Sequence, residues 1–208
     1  MADNQKNPRR GGKQTSDARR EARRAAREAV LGLLFETEYH EGETPEAIYL
    51  RAVEARELDT KERYIRKTYR GIMENLDAID LLIGRHASGW RTARLSRVCR
   101  AVLRLGTYEL VFDAKIPAPI AINEAVELTK KFDEPKARSF VNGVLNAIKN
   151  EIAENEGRLP DEVLAALAES VENKSTEVTE VTETAETSEV TETAETSETT
   201  ETMDNADA

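Results

Sequence analysis

Cysteine is almost missing from this chain. Cys99 is the only one in 208 residues, so no internal disulfide can form, in keeping with a reducing compartment. No stretch approaches the roughly 18 consecutive apolar residues of a membrane span, and the basic N-terminus lacks the apolar run of a signal peptide. A cytoplasmic protein is the expectation. Histidine is scarce: His40 and His86 stand alone, and no pair of His or Cys has metal-ligand spacing. No G-x-G-x-x-G follows a strand, and Cys99 has no placed base. Neither cofactor, metal nor catalysis is therefore expected. Aromatics make up only 5% of the chain, too few for a sheet that stacks bases. Alternating apolar and polar residues, the mark of a half-buried strand, are also wanting.

Charge is plentiful but unevenly placed. Residues 1–30 hold nine Lys or Arg against four acids, whereas residues 171–208 hold twelve acids against the single Lys174. The net charge of −10 therefore belongs to the C-terminal tail, and the rest of the chain sums to +1. In that tail VTETAETSE occurs at 181–189 and again at 190–198. Thr, Glu, Ser and Ala cannot bury enough apolar surface to offset ordering entropy, so 171–208 is expected to be disordered. The same expectation covers a basic arm over residues 1–15. A short amphipathic helix is expected within 158–170, where Pro160 precedes Asp161, Glu162, Val163 and Leu164.

Between these ends the chain reads as helix. Ser16 or Asp17 is placed to cap a first helix running toward Tyr39. Gly42 and Thr44-Pro45-Glu46 mark a turn before a second helix over 45–57. Asp59 or Thr60 starts a third, carrying Tyr64, Ile65, Thr68, Tyr69 and Ile72, and Asp77 begins a continuation through Ile79 and Leu82. Gly84 and Gly89 loosen the chain before Trp90. In RAVLRLGTYEL the positions Ala101, Val102, Leu105, Tyr108 and Val111 recur at helical spacing. Pro117 and Pro119 then break the pattern, predicting a helix end near Lys115 and a new start around Ala118 to Ile122. That helix is expected to bury Ile122, Val126 and Phe132 while Glu124, Glu127, Lys130 and Lys131 face outward. A last helix follows Asp133-Glu134-Pro135 and lines up Phe140, Val144, Leu145 and Ile148. Gly143 inside it predicts a close approach of two helices, since glycine there costs about 1 kcal/mol against alanine. Asn123 and Asn142 suit either hydrogen bonds that hold helices together or contacts to a bound ligand.

The first helix concentrates arginine. At 100° per residue Arg19, Arg20, Arg23, Arg24 and Arg27 fall within about 140°, while Ala22, Ala26, Ala29 and Leu33 cluster opposite. A solvated charged face is the ordinary explanation, but only Glu21 and Glu28 intersperse the opposite sign. Arginine's planar fork of donors suits phosphate, and five together make a polyanion site. Five phosphate contacts to a single strand imply a slope of log affinity on log salt of about −3.5.

Three phrases, Leu103-Arg104 with Tyr108-Glu109-Leu110, Ile122-Asn123-Glu124-Ala125-Val126-Glu127-Leu128, and Phe140-Val141-Asn142-Gly143-Val144-Leu145-Asn146, resemble in order the motifs of the NusB transcription antitermination family. The resemblance implies an all-α fold of two small three-helix bundles packed together, here about 16–88 and 89–157. It implies single-stranded boxA RNA from ribosomal RNA operon leaders as ligand, and NusE, a small-subunit ribosomal protein, as partner. It further implies an RNA polymerase antitermination complex with other Nus factors, and no membrane association; whether the chain pairs with itself is left open. Carried over by residue, Arg23, Arg24 and Arg27 match the family's basic run, with Arg19 and Arg20 beside it. Arg104 is a further RNA candidate that a structural ion pair explains equally well, and Lys130 and Lys131 extend the track. Phe35 stands where the family commonly has tyrosine, and Cys99 where its best-known members carry an acid at the partner surface. Two other readings stay open: a non-catalytic helical scaffold, and an RNA-binding domain related to those of RNA cytosine methyltransferases, although no methyltransferase domain follows Gly157.

Because the tail carries no core-forming residues, deleting 175–208 is expected to leave the melting temperature unchanged. A drop of several degrees on calorimetry would show that the segment belongs to the fold.

Overall fold

Helix α5 (Arg97–Val111) is wrapped by neighbours on nearly every side, which its sequence permits because Ala101, Val102, Leu103, Leu105, Gly106 and Thr107 are all small or apolar enough to pack. The computed structural model describes residues 9–40, 42–56, 63–87 and 95–169. The other helices are α1 (Arg9–Thr37), α2 (Pro45–Arg56), α3 (Arg63–Glu74), α4 (Leu76–His86), α6 (Ala118–Phe132) and α7 (Ala137–Glu154), with a short α8 over 161–169. No strand occurs among the described residues. Helices α1, α2 and α3 pack on one another, as do α5, α6 and α7, and α5 also touches α1, α3 and α4. The two three-helix groups thus share a continuous core that includes Leu33, Leu34, Ile72, Ile79, Leu103 and Leu145. Burying each such side chain contributes about 1.5–3 kcal/mol, so α5 is where most of that contribution meets. Residues 1–167 form one unit; 168–208 cluster separately, and of these only Ala168 and Glu169 are described.

Several boundaries differ from expectation. α1 begins at Arg9, so Ser16 and Asp17 lie inside it rather than at its start, and residues 9–15, assigned above to the disordered arm, are helical. Residues 1–8, the proposed caps Asp59 and Thr60, the Gly89-Trp90 step and the acidic repeat lie outside the described residues. Gly84 is interior to α4 rather than a break. α5 stops at Val111, four residues before Lys115, because the chain turns at Phe112 to reach Pro117. α6 begins at Ala118 with Pro119 in its first turn, where a missing N–H costs nothing. On α6, Ile122 is buried as expected, but Val126 is only half-buried, Phe132 is exposed, and Glu124 is buried instead of facing water. α8 packs through Val163, which is fully enclosed.

Glycine identities are exchanged relative to expectation. Gly143 is exposed, and a Cβ built there meets nothing within 4 Å. The close approaches are at Gly106, where a Cβ would lie 2.8 Å from Leu145 Cδ1 and 3.2 Å from the Ala125 Cβ, and at Gly71, where it would run into the Tyr108 ring.

Two ionic ties hold the helices in register. In the first, Arg27 of α1, only 5% exposed, donates from Nε to Glu109 Oε1 of α5 at 2.8 Å and lies 3.7 Å from Glu124 Oε2 of α6. The Tyr64 hydroxyl of α3 donates to the same Glu109 oxygen, and the Arg27 guanidinium lies 5.8 Å from the Tyr64 ring centroid. Burial raises the Glu109 carboxyl above its ordinary range, opposed by Arg27 and by the Tyr64 hydrogen bond; burial, with Glu109, also raises the Tyr64 hydroxyl. In the second, Arg104 grips Asp80 of α4 with Nε at 2.8 Å and a terminal nitrogen at 2.7 Å, and reaches Glu38 at 3.1 Å. Bidentate geometry makes this the stronger kind of arginine–carboxylate pair.

Gly143→Ala should raise stability by about 1 kcal/mol, whereas Gly106→Ala should lower it by about 1–3 kcal/mol through overpacking, both read from urea midpoints. Arg27→Ala, which strands a buried carboxylate, should cost about 3–5 kcal/mol, and the combined Arg27→Met, Glu109→Leu exchange should recover most of that loss in the same measurement.

Candidate nucleic-acid interface

Helical periodicity places Arg19, Arg23 and Arg27 on the same side of α1 as Val30 and Leu34, since all five fall within about 80° of one another at 100° per residue. The last two are buried in the core, while Arg19 and Arg23 are exposed, because the N-terminal half of α1 extends past the body of the bundle. Ala22, expected to pack, is exposed for the same reason. The arginines hang over the α5–α6 connection and form one wall of a cleft of ≈ 950 Å³.

The walls differ in chemistry. Arg19, Arg20 and Arg23 line the α1 side, and Lys115, Ile116, Pro117, Pro119, Ile120 and Asn123 line the opposite side. Arg27, Tyr64 and Glu124 lie at the inner end, engaged in the ionic tie described above. Arg20 is 3.5 Å from Asp17, an exposed pair of little strength, and neither Arg19 nor Arg23 has a hydrogen bond or ion pair among the described residues. Ile120 is 48% exposed, an unusual exposure for isoleucine beside charged groups. The amino end of α6, the positive pole of its dipole, opens into the same space at Pro117 and Pro119.

The remaining candidates separate from this cleft. Arg27 and Arg104 are both committed to carboxylates inside the protein, so neither is a free phosphate ligand; this corrects the reading of a five-arginine face. Arg24 is partly exposed and leans on Glu124 at 3.3 Å. Lys131 pairs with Glu28 at 2.6 Å and Lys130 with Glu127 at 3.8 Å, and both line a separate depression of ≈ 280 Å³ on the far flank of Arg24. Both lysines are engaged in surface pairs, but Lys131 also shares a depression of ≈ 410 Å³ with Arg20 and Arg24, so it adjoins the basic face of α1. Phe35 is half-buried with its ring 5.2 Å from that of Tyr39, about 24 Å along α1 from Arg19 at 1.5 Å per residue. Tyr39 is in turn covered by the Arg97 guanidinium at 4.1 Å. Cys99 is 3% exposed at the start of α5, where its backbone N–H is capped by Ser96. Its sulfur therefore offers no surface for a partner, which corrects that assignment, and burial, aided by Asp133, pushes the thiol up to about 12. Asn142 is exposed and accepts from Asn146, whereas Asn123 is exposed in the cleft and its side chain has no hydrogen bond among the described residues.

Lys115 and Glu109 were missed as contributors. Glu109 is the one acid of α5 and sits among Gly106, Thr107, Tyr108 and Leu110, a largely apolar setting that is itself a signal of a buried cationic partner. Nothing in the spacing marks Lys115, whose place in the cleft depends on the turn at Phe112. Among the described residues no helix is long and apolar enough to cross a membrane.

Comparison with known proteins agrees with this architecture. The chain is 40% identical over 130 residues to the transcription antitermination protein NusB of Bacillus licheniformis, covering 62% of this chain and 98% of the relative. To that of Myxococcus xanthus it is 39% identical over 131 residues, covering 61% and 94%. Among solved structures, NusB of T. maritima superposes with a TM-score of 0.58 at 39% identity, covering 69% of this chain and 96% of that one. A crystal structure of the antitermination factors NusB and NusE in complex with double-stranded RNA superposes with 0.56 at 31% identity, covering 62% and 96%. The sequence model of the NusB family matches residues 21–150, from the overhanging end of α1 to the last turn of α7, and the chain belongs to that family.

Proposed function

We propose that this chain is a transcription antitermination factor that binds boxA-type single-stranded RNA along the overhang of α1. It would do so together with a NusE-type ribosomal protein, and deliver the transcript to elongating RNA polymerase. The observation that carries the reading is the wall of Arg19, Arg20 and Arg23, cations that the fold leaves without strong internal partners beside a cleft. Elsewhere on the bundle arginine is largely neutralised in place: Arg85 by Glu151 and Glu162, Arg66 by Glu46, Arg104 by Asp80 and Glu38. Arginines without such partners keep their full attraction for phosphate, and the dipole of α6 adds to it. The NusB–NusE–RNA complex, 31% identical to this chain, supports both RNA and NusE as partners.

Phosphate contacts position a nucleic acid without reading its sequence, so selectivity has to come from other contacts, to which a partner surface can contribute. Phe35, Tyr39 and Arg97, at the opposite end of α1 from the cleft, provide a separate surface on which a partner can sit without covering the arginines. The chain contributes binding and orientation rather than chemistry.

With Arg19, Arg20, Arg23 and Lys115 as the available cations, log affinity for a boxA-type single strand should fall against log salt with a slope of about −2.8, at about −0.7 per contact. This replaces the steeper value implied by five arginines. Fluorescence anisotropy over a salt series measures it, and a flat line contradicts the assignment. Arg20→Glu with Arg23→Glu should lower affinity at least tenfold while circular dichroism stays unchanged, because neither side chain is buried.

A further inference from the structure

A phosphate track needs only a row of cations on a surface, yet the arginine wall here borders a cleft of ≈ 950 Å³, at the upper end of the roughly 300–1,000 Å³ typical of small-molecule sites. The wall facing the arginines carries Lys115 and Asn123 but is otherwise largely apolar. Ile116, Pro117 and Ile120 form a ledge, and Ile120 is held 48% exposed at its lip. Among the polar groups of the inner end, Arg27, Tyr64 and Glu124 are already engaged, Arg27 and Tyr64 with Glu109 and Glu124 with Arg24. Asn123, one turn along α6 from Ile120, is the neutral group that borders the cleft with its amide uncommitted.

We propose that this cleft is a nucleobase pocket, in which one unstacked base of the bound single strand lies between the arginine wall and the Ile116-Pro117-Ile120 ledge, its edge read by the Asn123 amide. The inference rests on the RNA-binding reading above and deepens it, by assigning sequence selectivity to a site within this chain. Guanidinium groups stack on base faces as well as binding phosphate, so the same wall serves both halves of a nucleotide. Prolyl and isoleucyl surface on the other side removes the second base face from water. A carboxamide presents a donor beside an acceptor, which matches adenine at N6 and N7, whereas guanine offers two acceptors on that edge. Adenine is therefore the favoured occupant over guanine.

The test uses the full chain and a short boxA-type single-stranded RNA in which each nucleotide in turn is made abasic. In the wild-type protein one position should stand out, losing about tenfold in affinity, within the range measured for stacked bases. At that position adenine should bind about tenfold tighter than guanine. In Asn123→Ala the adenine preference should vanish, and in Ile120→Ser the abasic penalty should fall below about twofold. Both side chains are exposed, so thermal melts should be unchanged. If both variants keep the wild-type abasic profile and base preference while Arg20→Glu with Arg23→Glu still lowers affinity at least tenfold, the pocket is refuted and the phosphate reading survives. If wild-type binding is insensitive to salt and to those arginines, both readings fall together.

Discussion

The position of α1 depends on one buried contact, the Arg27 guanidinium between Glu109 and Glu124 with Tyr64 closing on the same carboxylate. Three helices, α3, α5 and α6, meet α1 through that cluster. A buried ion pair seldom adds stability over well-packed apolar groups, because desolvating both charges offsets their attraction. Its effect lies in direction. Hydrophobic packing of Val30, Leu33 and Leu34 tolerates sliding, but a guanidinium that must meet two carboxylates admits a single register. With the register set, the residues from Arg19 to Ala25 project past the core as one rigid length of helix, and the cleft beneath them follows.

Much of the fold was legible in the sequence wherever local patterning and packing agree. The α6 start at Ala118 was readable from Pro117 and Pro119, since proline restricts its own and the preceding residue whatever surrounds them. The apolar spacing of α3 and α5 survived for the same reason. Legibility failed where burial depends on what lies opposite. Gly143 and Gly106 are indistinguishable as letters in a helical pattern, yet one faces water and the other faces Leu145 and Ala125. Glu124 looks like a surface acid until Arg24 and Arg27 arrive from a helix 100 residues earlier in the chain.

The arginine face illustrates the same limit at the site itself. A helical wheel collapses a helix onto one circle and so assumes that each azimuth has one environment along its length. In α1 the azimuth of Val30 and Leu34 is core at one end and open cleft at the other, with Arg27 at the transition. The wheel therefore grouped Arg27 with Arg23 correctly in angle and wrongly in role. Only the neighbours at each height separate them, and those neighbours come from α5 and α6. Family resemblance did not resolve it either, because a basic run is matched residue by residue without regard to which members are neutralised.

Affinity and selectivity consequently arise from different parts of one architecture. The arginines, whose field reaches about a Debye length of 8 Å into physiological solution, draw in any polyanion and cannot distinguish one transcript from another. Discrimination needs short-range contacts held at fixed geometry, and those require a rigid surface facing the arginines. The α5–α6 connection supplies it: two prolines restrict the backbone, Asp113 accepts from the Ile116 N–H through its carbonyl, and the Asp113 carboxylate is held by Lys67 at 3.2 Å. The same prolines that end one helix and begin the next thus stiffen the wall that faces the arginines. That coupling explains why a loop with no regular structure of its own faces the most highly charged segment of the bundle.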